Sequence, residues 1–347
     1  MKRAVFPLLI MALALALPSL WLARNRLLQH RAADQGRAVV VVVPRGASLK
    51  QTAAILARAK VVDHPSLFAL AARLSGRAGC LQAGEYRLSP AMTYQGLLQN
   101  LCAGRVLLHS LTIPEGFTMR QIVERAATQG LLDRNQALAL LHDRGFISGL
   151  GIQAPSLEGF LFPTTYRLPR GLGARAVLAM MVRRFQRVWK TLEPQARRLG
   201  LSQLQAVTLA SIIEKEAQVD WERALISAVY HNRLKRGMRL QADPTVIYGL
   251  TNFDGNLRKI DLDTDTPYNT YLHPGLPPGP ICSPGLASLQ AAVNPAPAKY
   301  LYFVAKGNGE HHFSRSYREH QNAVIRYQKH HHRAASRGSR RGHTKHR

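Results

Sequence analysis

Residues 4–23, AVFPLLIMALALALPSLWLA, contain no charged side chain. A helix of that length rises about 30 Å, the thickness of a bilayer's hydrocarbon core. Lys2 and Arg3 precede the run; Arg24, Arg26 and Arg31 follow it. Two readings fit: a cleaved leader with Ala14-Leu15-Ala16 as its processing site, or a retained anchor. The apolar run continues through Leu20, Trp21 and Leu22, past the point where a leader's short apolar region ends, and this favours the anchor. The flanking charges nearly balance, so they leave the orientation open. No other stretch is long and apolar enough to span. The plan that follows is a short N-terminus (1–3), a transmembrane anchor (4–23), a polar basic linker (24–37) and one large folded portion.

That portion has the length for two domains, each with its own core, and 46% hydrophobic residues over the whole chain, which excludes general disorder. Three cysteines are too few for a disulfide scaffold and are not spaced as a zinc site. The 47 Lys and Arg against 20 Asp and Glu give a net charge of +27. Such an excess attracts polyanions. It is spread along the chain among many alanines, however, and compositional drift explains it equally well.

Local signals divide the folded part. Val39–Val43 reads as a strand stopped by Pro44 and Gly46. Ser48 caps a helix over about 49–59, and Pro65 opens another over 65–74. Ala83–Leu88 reads as a strand, 94–102 as a helix capped by Thr93, and 106–113 as a strand. This α+β unit, 38–110, precedes a larger α+β domain over 111–328. Thr118 with Gln121 forms a capping box for a helix over 119–128. Asp133 starts another over 134–143, and 174–198 forms a long basic amphipathic helix. Ser202 caps a helix running to about 219. Strand pieces are expected at Thr245–Tyr248 and Tyr300–Val304, within a Pro-, Gly- and Asn-rich region whose long loops point to function. From 329 onward the chain is almost entirely His, Arg, Lys, Ser and Gly, a disordered basic tail.

The segment Leu204–Val219, LQAVTLASIIEKEAQV, is the most informative for chemistry. At about 100° per residue, Leu209, Ile212, Ile213 and Val219 share one side of a helix, and Glu216 falls among them. Glu214 points the opposite way. A carboxyl surrounded by aliphatic groups is poorly hydrated, so its pKa rises and it can hold a proton near neutral pH. An internal ion pair is the competing explanation for Glu216. In 230–249, YHNRLKRGMRLQADPTVIYG, the groups Asn232, Arg233, Gln241, Asp243 and Thr245 suit a groove for a hydroxyl- and amide-rich ligand. In 267–280, PYNTYLHPGLPPGP, prolines stiffen a backbone that presents Tyr268, Asn269 and Tyr271. Aromatic rings stack on sugar faces and amides bind hydroxyls. His311, His312 and His320 lack a Cys or carboxylate at ligand spacing, so no metal is expected there. The chain has no GxGxxG, P-loop, GxSxG or HExxH motif.

Taken in order, AGEYRLSP (83–90), IPEGFT (113–118), SLEGFLFPTTYRL (156–168), LASIIEKEA (209–217), NRLKRGMRLQADPTVIYG (232–249), YNTYLHPGLPPGP (268–280) and YLYFVAKGNGEHHF (300–313) resemble the endolytic murein transglycosylases of the YceG-like family. The likeness spans about 38–327. It implies a single-pass inner-membrane protein with its bulk in the periplasm, and a small LysM-like module ahead of a catalytic domain. The implied activity is cleavage of the MurNAc–GlcNAc β-1,4 bond in nascent glycan strands, leaving 1,6-anhydro-MurNAc ends that terminate elongation. By position the family's catalytic acid falls on Glu216. The implied partners are peptidoglycan strands and the membrane, together with wall synthases; nucleic acid is disfavoured, and no metal or organic cofactor is called for. In an oxidising periplasm Cys80 and Cys102 are the candidate pair, with Cys282 left free. Where many members read Phe-Pro-Asp-Thr-Tyr this chain has Thr164, and Pro280 and Cys282 also depart from the small residues common there.

Most glycosidases need two carboxylates. A lytic transglycosylase needs one, because the substrate's own 6-hydroxyl is the nucleophile. Asn232, Gln241, Tyr268 and Asn269 are then the positioning candidates. If water attacks instead, the enzyme is a hydrolytic muramidase and Glu214 or Glu158 is the candidate second carboxylate. A non-catalytic scaffold tethering synthases to glycan is the reading from a different class.

Overall fold

The computed structural model describes residues 16–329. Most of the expected anchor, and the tail beyond residue 329, lie outside the described residues. Residues 16–23 open a helix, α1, that runs over 16–28. Leu17, Leu20, Trp21 and Leu22 are exposed on it, while Leu28 at its end is buried. Among the described residues no helix is long and apolar enough to cross a membrane.

The chain divides into two compact units. One comprises the residues up to Ser110 together with Arg167–Leu172, the other Leu111–Tyr166 and everything from Gly173. The return of 167–172 to the first unit has no signal in the local sequence pattern.

In the first unit β1 (Val39–Val43) is followed by α2 (Leu49–Arg58), α3 (Pro65–Leu74), β2 (Gly84–Leu88) and α4 (Tyr94–Cys102). β1 and β2 pair antiparallel, Val39 opposite Leu88 and Val43 opposite Gly84. Strand side chains alternate between faces, so Val41 and Val43 enter the core while Val40 and Val42 face solvent. The helices close over them with Leu56, Phe68, Tyr94, Leu97 and Leu101, and Leu28 of α1 joins this core. Ser48 and Gln51 form a reciprocal cap on α2. Asp63 accepts hydrogen bonds from Tyr94 Oη and His30 Nε2, each at 2.7 Å. Burial alone would push its pKa up, but these bonds and its backbone donors hold it down at about 2.

Cys80 and Cys102 are joined by a disulfide across 22 residues, tying the loop before β2 to the end of α4. Closing a loop of that size removes unfolded-state entropy worth about 3 kcal/mol. Reduction, or Cys80→Ser with Cys102→Ser, is therefore expected to lower the unfolding midpoint of the first unit in urea. An unchanged midpoint contradicts this.

The chain passes through β3 (His109–Thr112) into the second unit. There follow α5 (Met119–Thr128), α6 (Arg134–Leu140), α7 (Arg144–Gly149), β4 (Thr165–Leu168), α8 (Ala174–Arg198), α9 (Gln203–Glu216) and α10 (Arg223–Lys235). Then come α11 (Asp243–Gly249), α12 (Lys259–Leu262), α13 (Leu286–Val293), the strands β5 (Tyr302–Ala305) and β6 (His311–Ser314), and α14 (Tyr317–Val324). The central helix is α9. Every residue from Ala206 to Ile213 is buried, and α8, α10, α11 and α13 lie against it. The long α8 turns Val177, Leu178, Met181, Val182, Phe185 and Trp189 inward. β5 and β6 form an antiparallel hairpin, Tyr302 opposite Ser314 and Ala305 opposite His311. Buried Glu222, just before α10, clamps this hairpin: its carboxylate accepts the His311 backbone N–H and contacts His311 Nδ1, both at 2.7 Å.

Three expectations need correction. Thr245–Tyr248 lies in α11, not in a strand. Pro244 occupies the first helical turn, where its fixed φ favours a helix start, and the Thr245 hydroxyl donates to Ala242 O at 2.7 Å. The helix expected to reach 143 stops at Leu140, because the Asp143 carboxylate caps α7 through the Phe146 N–H at 2.9 Å. And α9 ends at Glu216, not near 219, because Ala217 is extended.

Candidate active site

Because α9 stops at Glu216, that carboxyl hangs at the C-terminal end of a buried helix. It is half-buried. Its Oε1 accepts a hydrogen bond from Tyr230 Oη at 3.0 Å. Tyr230 is buried on α10, its ring edge-on to Phe303 of β5 with centroids 6.0 Å apart. Burial pushes the Glu216 pKa up to about 7; the Tyr230 bond and the Arg233 charge pull it down, and the Asp243 charge pushes it further up. The helix terminus acts in the same direction as burial, since unpaired carbonyls there carry partial negative charge. Burial also drives the Tyr230 hydroxyl far above its ordinary range, so it remains a donor.

Loops around this carboxyl are held by residues singled out in the sequence. Arg233 Nε donates to Leu301 O and its Nη1 to Leu240 O, each at 2.7 Å, with its plane over the Tyr302 ring. Asn232 Nδ2 donates to the carbonyls of Ala298 and Tyr300 at 2.8 and 2.9 Å. Buried Thr245 bonds Ala242 O and the Thr270 hydroxyl. Buried Asn269 donates to the carbonyls of Leu262 and Thr264 and accepts the Tyr271 N–H. These four groups are engaged within the protein, mostly with backbone carbonyls, and the geometry gives them a bracing role.

Two other candidates are exposed, and of these the Asp243 charge is felt at Glu216 while Gln241 Oε1 accepts from Arg233 Nη1 at 3.4 Å. Gln241 is exposed and has φ +50, a left-handed conformation that costs energy in a non-glycine residue. Its N–H donates to Thr270 O at 3.1 Å, which fixes the turn. Asp243 is exposed and accepts the Tyr271 hydroxyl at 2.6 Å. Tyr268 stacks at a tilt on Tyr248, centroids 4.8 Å apart.

The two other acids are engaged elsewhere. Glu214, about 200° around α9 from Glu216, accepts the Gly285 N–H at the start of α13 at 2.9 Å and lies 4.0 Å from Arg223. Buried Glu158 accepts the Met119 N–H at 2.9 Å and the Tyr248 hydroxyl at 3.1 Å. Burial raises its pKa to about 7 against those bonds and the Arg120 charge. The sequence gives no sign of the roles of Tyr230 and Tyr248, and it presents Tyr271 as an aromatic face for a sugar, not as the donor to Asp243. Their partners lie 14, 90 and 28 residues away, and no local periodicity links them.

The geometry therefore provides a half-buried carboxyl with a raised pKa, a tyrosine that steadies it, and a second, exposed carboxylate close enough to be felt. Tyr230→Phe removes a bond that holds the Glu216 pKa down. The alkaline limb of any activity that needs protonated Glu216 is then expected to move to higher pH, read from kcat/KM profiles. A shift to lower pH contradicts that coupling.

The sequence profile of the YceG-like family matches residues 41–326. The chain is 33% identical over 310 residues to the endolytic murein transglycosylase of Bacillus subtilis, covering 85% of this chain and 86% of that protein. It is 29% identical over 332 residues to the endolytic murein transglycosylase of Streptococcus pneumoniae, covering 84% of this chain and 60% of the longer relative. Its fold is similar to the crystal structure of a YceG-like protein from Listeria monocytogenes, with TM-score 0.57 and 33% identity over 83% of this chain and all of that one. With matches of this extent in sequence and in fold, the chain belongs to the YceG-like family.

Proposed function

We propose that this protein is an endolytic peptidoglycan lytic transglycosylase that cleaves the MurNAc–GlcNAc β-1,4 bond within glycan strands. The feature that carries the reading is the Glu216 carboxyl, half-buried at the end of α9, with its pKa pushed up to about 7 by burial. In the first step Glu216 gives its proton to O4 of the departing GlcNAc, and the C1–O4 electron pair leaves with that oxygen. The positive charge that develops at C1 and the ring oxygen is stabilised by Asp243, which Tyr271 orients. In the second step the Glu216 carboxylate takes the proton of the MurNAc 6-hydroxyl as O6 closes on C1. Glu216 ends as it began, and no water is consumed.

The membrane anchor, the periplasmic location and the synthase partners belong to the same proposal. The exposed apolar start of α1 and the Cys80–Cys102 disulfide fit a protein tethered at a membrane on its oxidising side. The β-α-α-β order of the first unit supports a LysM-like module. A cavity of about 560 Å³ beside β1 and β2, lined by Arg45, Gln82 and Glu85, is its candidate second hold on glycan.

Digestion of uncrosslinked strands in ¹⁸O-water tests the reaction type. A transglycosylase gives ends one water lighter than reducing ends and without ¹⁸O. Reducing ends carrying ¹⁸O would make the enzyme a muramidase, and intact strands would favour the scaffold reading.

A further inference from the structure

A cleft of about 700 Å³ opens beside the candidate site, between the first turn of α5, the last turn of α9 and α11. Its volume falls within the roughly 300–1,000 Å³ typical of ligand pockets. Lys215 and Pro244 line it, and each is the chain neighbour of a site carboxylate, Glu216 and Asp243. The cleft thus begins within one residue of the reacting groups on two walls. Its other walls are mixed, with apolar Met119, Ile247 and Ile281 beside Thr118, Gln121, Tyr248 and Thr251. Buried Glu158 lies among its lining groups with its oxygens on the Met119 N–H and the Tyr248 hydroxyl. The exposed cations Arg120 and Lys215 also line it.

Resting on the reading of peptidoglycan as substrate, we propose that this cleft binds the short acidic peptide carried on the lactyl group of N-acetylmuramic acid. The chemistry matches group by group. Peptide carboxylates pair with Arg120 and Lys215. Alanine methyls fit against Met119, Ile247 and Ile281. Amide groups reach Tyr248 Oη and the Glu158 carboxyl. Two cations in one cleft favour a ligand that carries carboxylates over neutral sugar hydroxyls. The connectivity also fits: the lactyl ether is on C3, two ring bonds from the C1 at which cleavage occurs, so the peptide must leave the site within a few ångströms. Glu158 is in this account a binding residue, and it is not the second carboxylate of a hydrolase.

The test compares cleavage by the full chain of uncrosslinked strands bearing peptides with the same strands stripped by an amidase. Wild type is expected to show kcat/KM about tenfold higher on peptide-bearing strands, the size of one well-made charged contact. In Arg120→Glu with Lys215→Glu, both exposed positions that leave the core intact, that ratio should fall to about one. Equal rates on the two strands with wild type overturn the cleft assignment while leaving the transglycosylase reading standing. A second measurement is independent of turnover: calorimetric binding of the free tetrapeptide to Glu216→Gln, and to the same protein carrying Arg120→Glu. Binding that the second substitution abolishes supports the cleft even if no strand is cleaved. Absence of binding, or binding indifferent to Arg120, overturns it.

Discussion

Glu216→Gln is expected to lower kcat/KM on uncrosslinked glycan strands by at least about 10²-fold, within the 10²–10⁴ range of general acid–base catalysis. Gln keeps the size of the side chain and can still accept the Tyr230 hydroxyl, whose bond to Oε1 is 3.0 Å long. It has no acidic proton to give to O4 and no carboxylate to take one from the 6-hydroxyl. Both steps therefore fail together, and neither a bare strand nor a peptide-bearing one is rescued. Substitution of Glu214 should behave differently. That carboxylate holds the Gly285 N–H at the start of α13, so its loss costs stability more than chemistry.

The same variant has a stability signature of opposite sign. Glu216 titrates near 7 in the folded protein against an ordinary value of 4.5. Below about pH 4.5 it is protonated in both states and contributes nothing to pH dependence. As pH rises to 7 the unfolded chain ionises more readily than the folded one, so folding is progressively disfavoured. Above pH 7 the cost levels off at up to about 3 kcal/mol. Glu216→Gln should therefore be more stable than wild type at pH 8 and equal to it at pH 4. Urea midpoints at the two pH values read this directly, and equal midpoints at pH 8 would count against a strained, proton-holding carboxyl.

Asp243→Asn is the second large effect, with cleavage expected to fall by about 10²-fold. Its carboxylate lies exposed at the start of α11, held by the Tyr271 hydroxyl at 2.6 Å. The positive charge that forms at C1 loses its counter-charge when the side chain becomes neutral. A second readout separates this from simple misfolding. The Asp243 charge pushes the Glu216 pKa up, so its removal should move the alkaline limb of kcat/KM to lower pH. Tyr230→Phe moves the same limb the other way. Loss of rate in Asp243→Asn with an unmoved limb would mean that Asp243 acts only by holding the loop.

Much of this arrangement was readable before the fold was known. The 3.6-residue period of 174–198 predicts α8 with its observed ends, and Ser48, Thr118 and Ser202 each cap the helix expected of them. The period also singled out Glu216. Leu209, Ile212 and Ile213 are buried, but so is every other residue from Ala206 to Ile213, and Val219 lies beyond the end of α9. What the wheel could not supply is that α9 ends at Glu216, where the chain becomes extended at Ala217. Val246, Ile247 and Tyr248 have strand propensity that a proline start and the buried Thr245–Thr270 contact override. Propensity is weak against such tertiary constraints. Asn232, Arg233 and Asn269 stood out as polar groups in a loop-rich region, but residue type does not distinguish a side chain that grips backbone from one that grips glycan. Their donors go to carbonyls of Ala298, Tyr300, Leu301, Leu262 and Thr264. The tyrosine partners are contacts between distant segments, and only the folded chain brings them together.

The proposed chemistry needs a carboxyl that still holds a proton near neutral pH, and carbon-13 NMR of glutamate-labelled protein measures that directly. The carboxyl resonance absent from Glu216→Gln should titrate with a midpoint near 7, and Tyr230→Phe should raise it. A second high midpoint belongs to Glu158, which disappears in Glu158→Gln and leaves the Glu216 signal in place. A Glu216 midpoint near the ordinary 4.5 would contradict the account, because the group would then have no proton to donate at the pH where the enzyme is proposed to work.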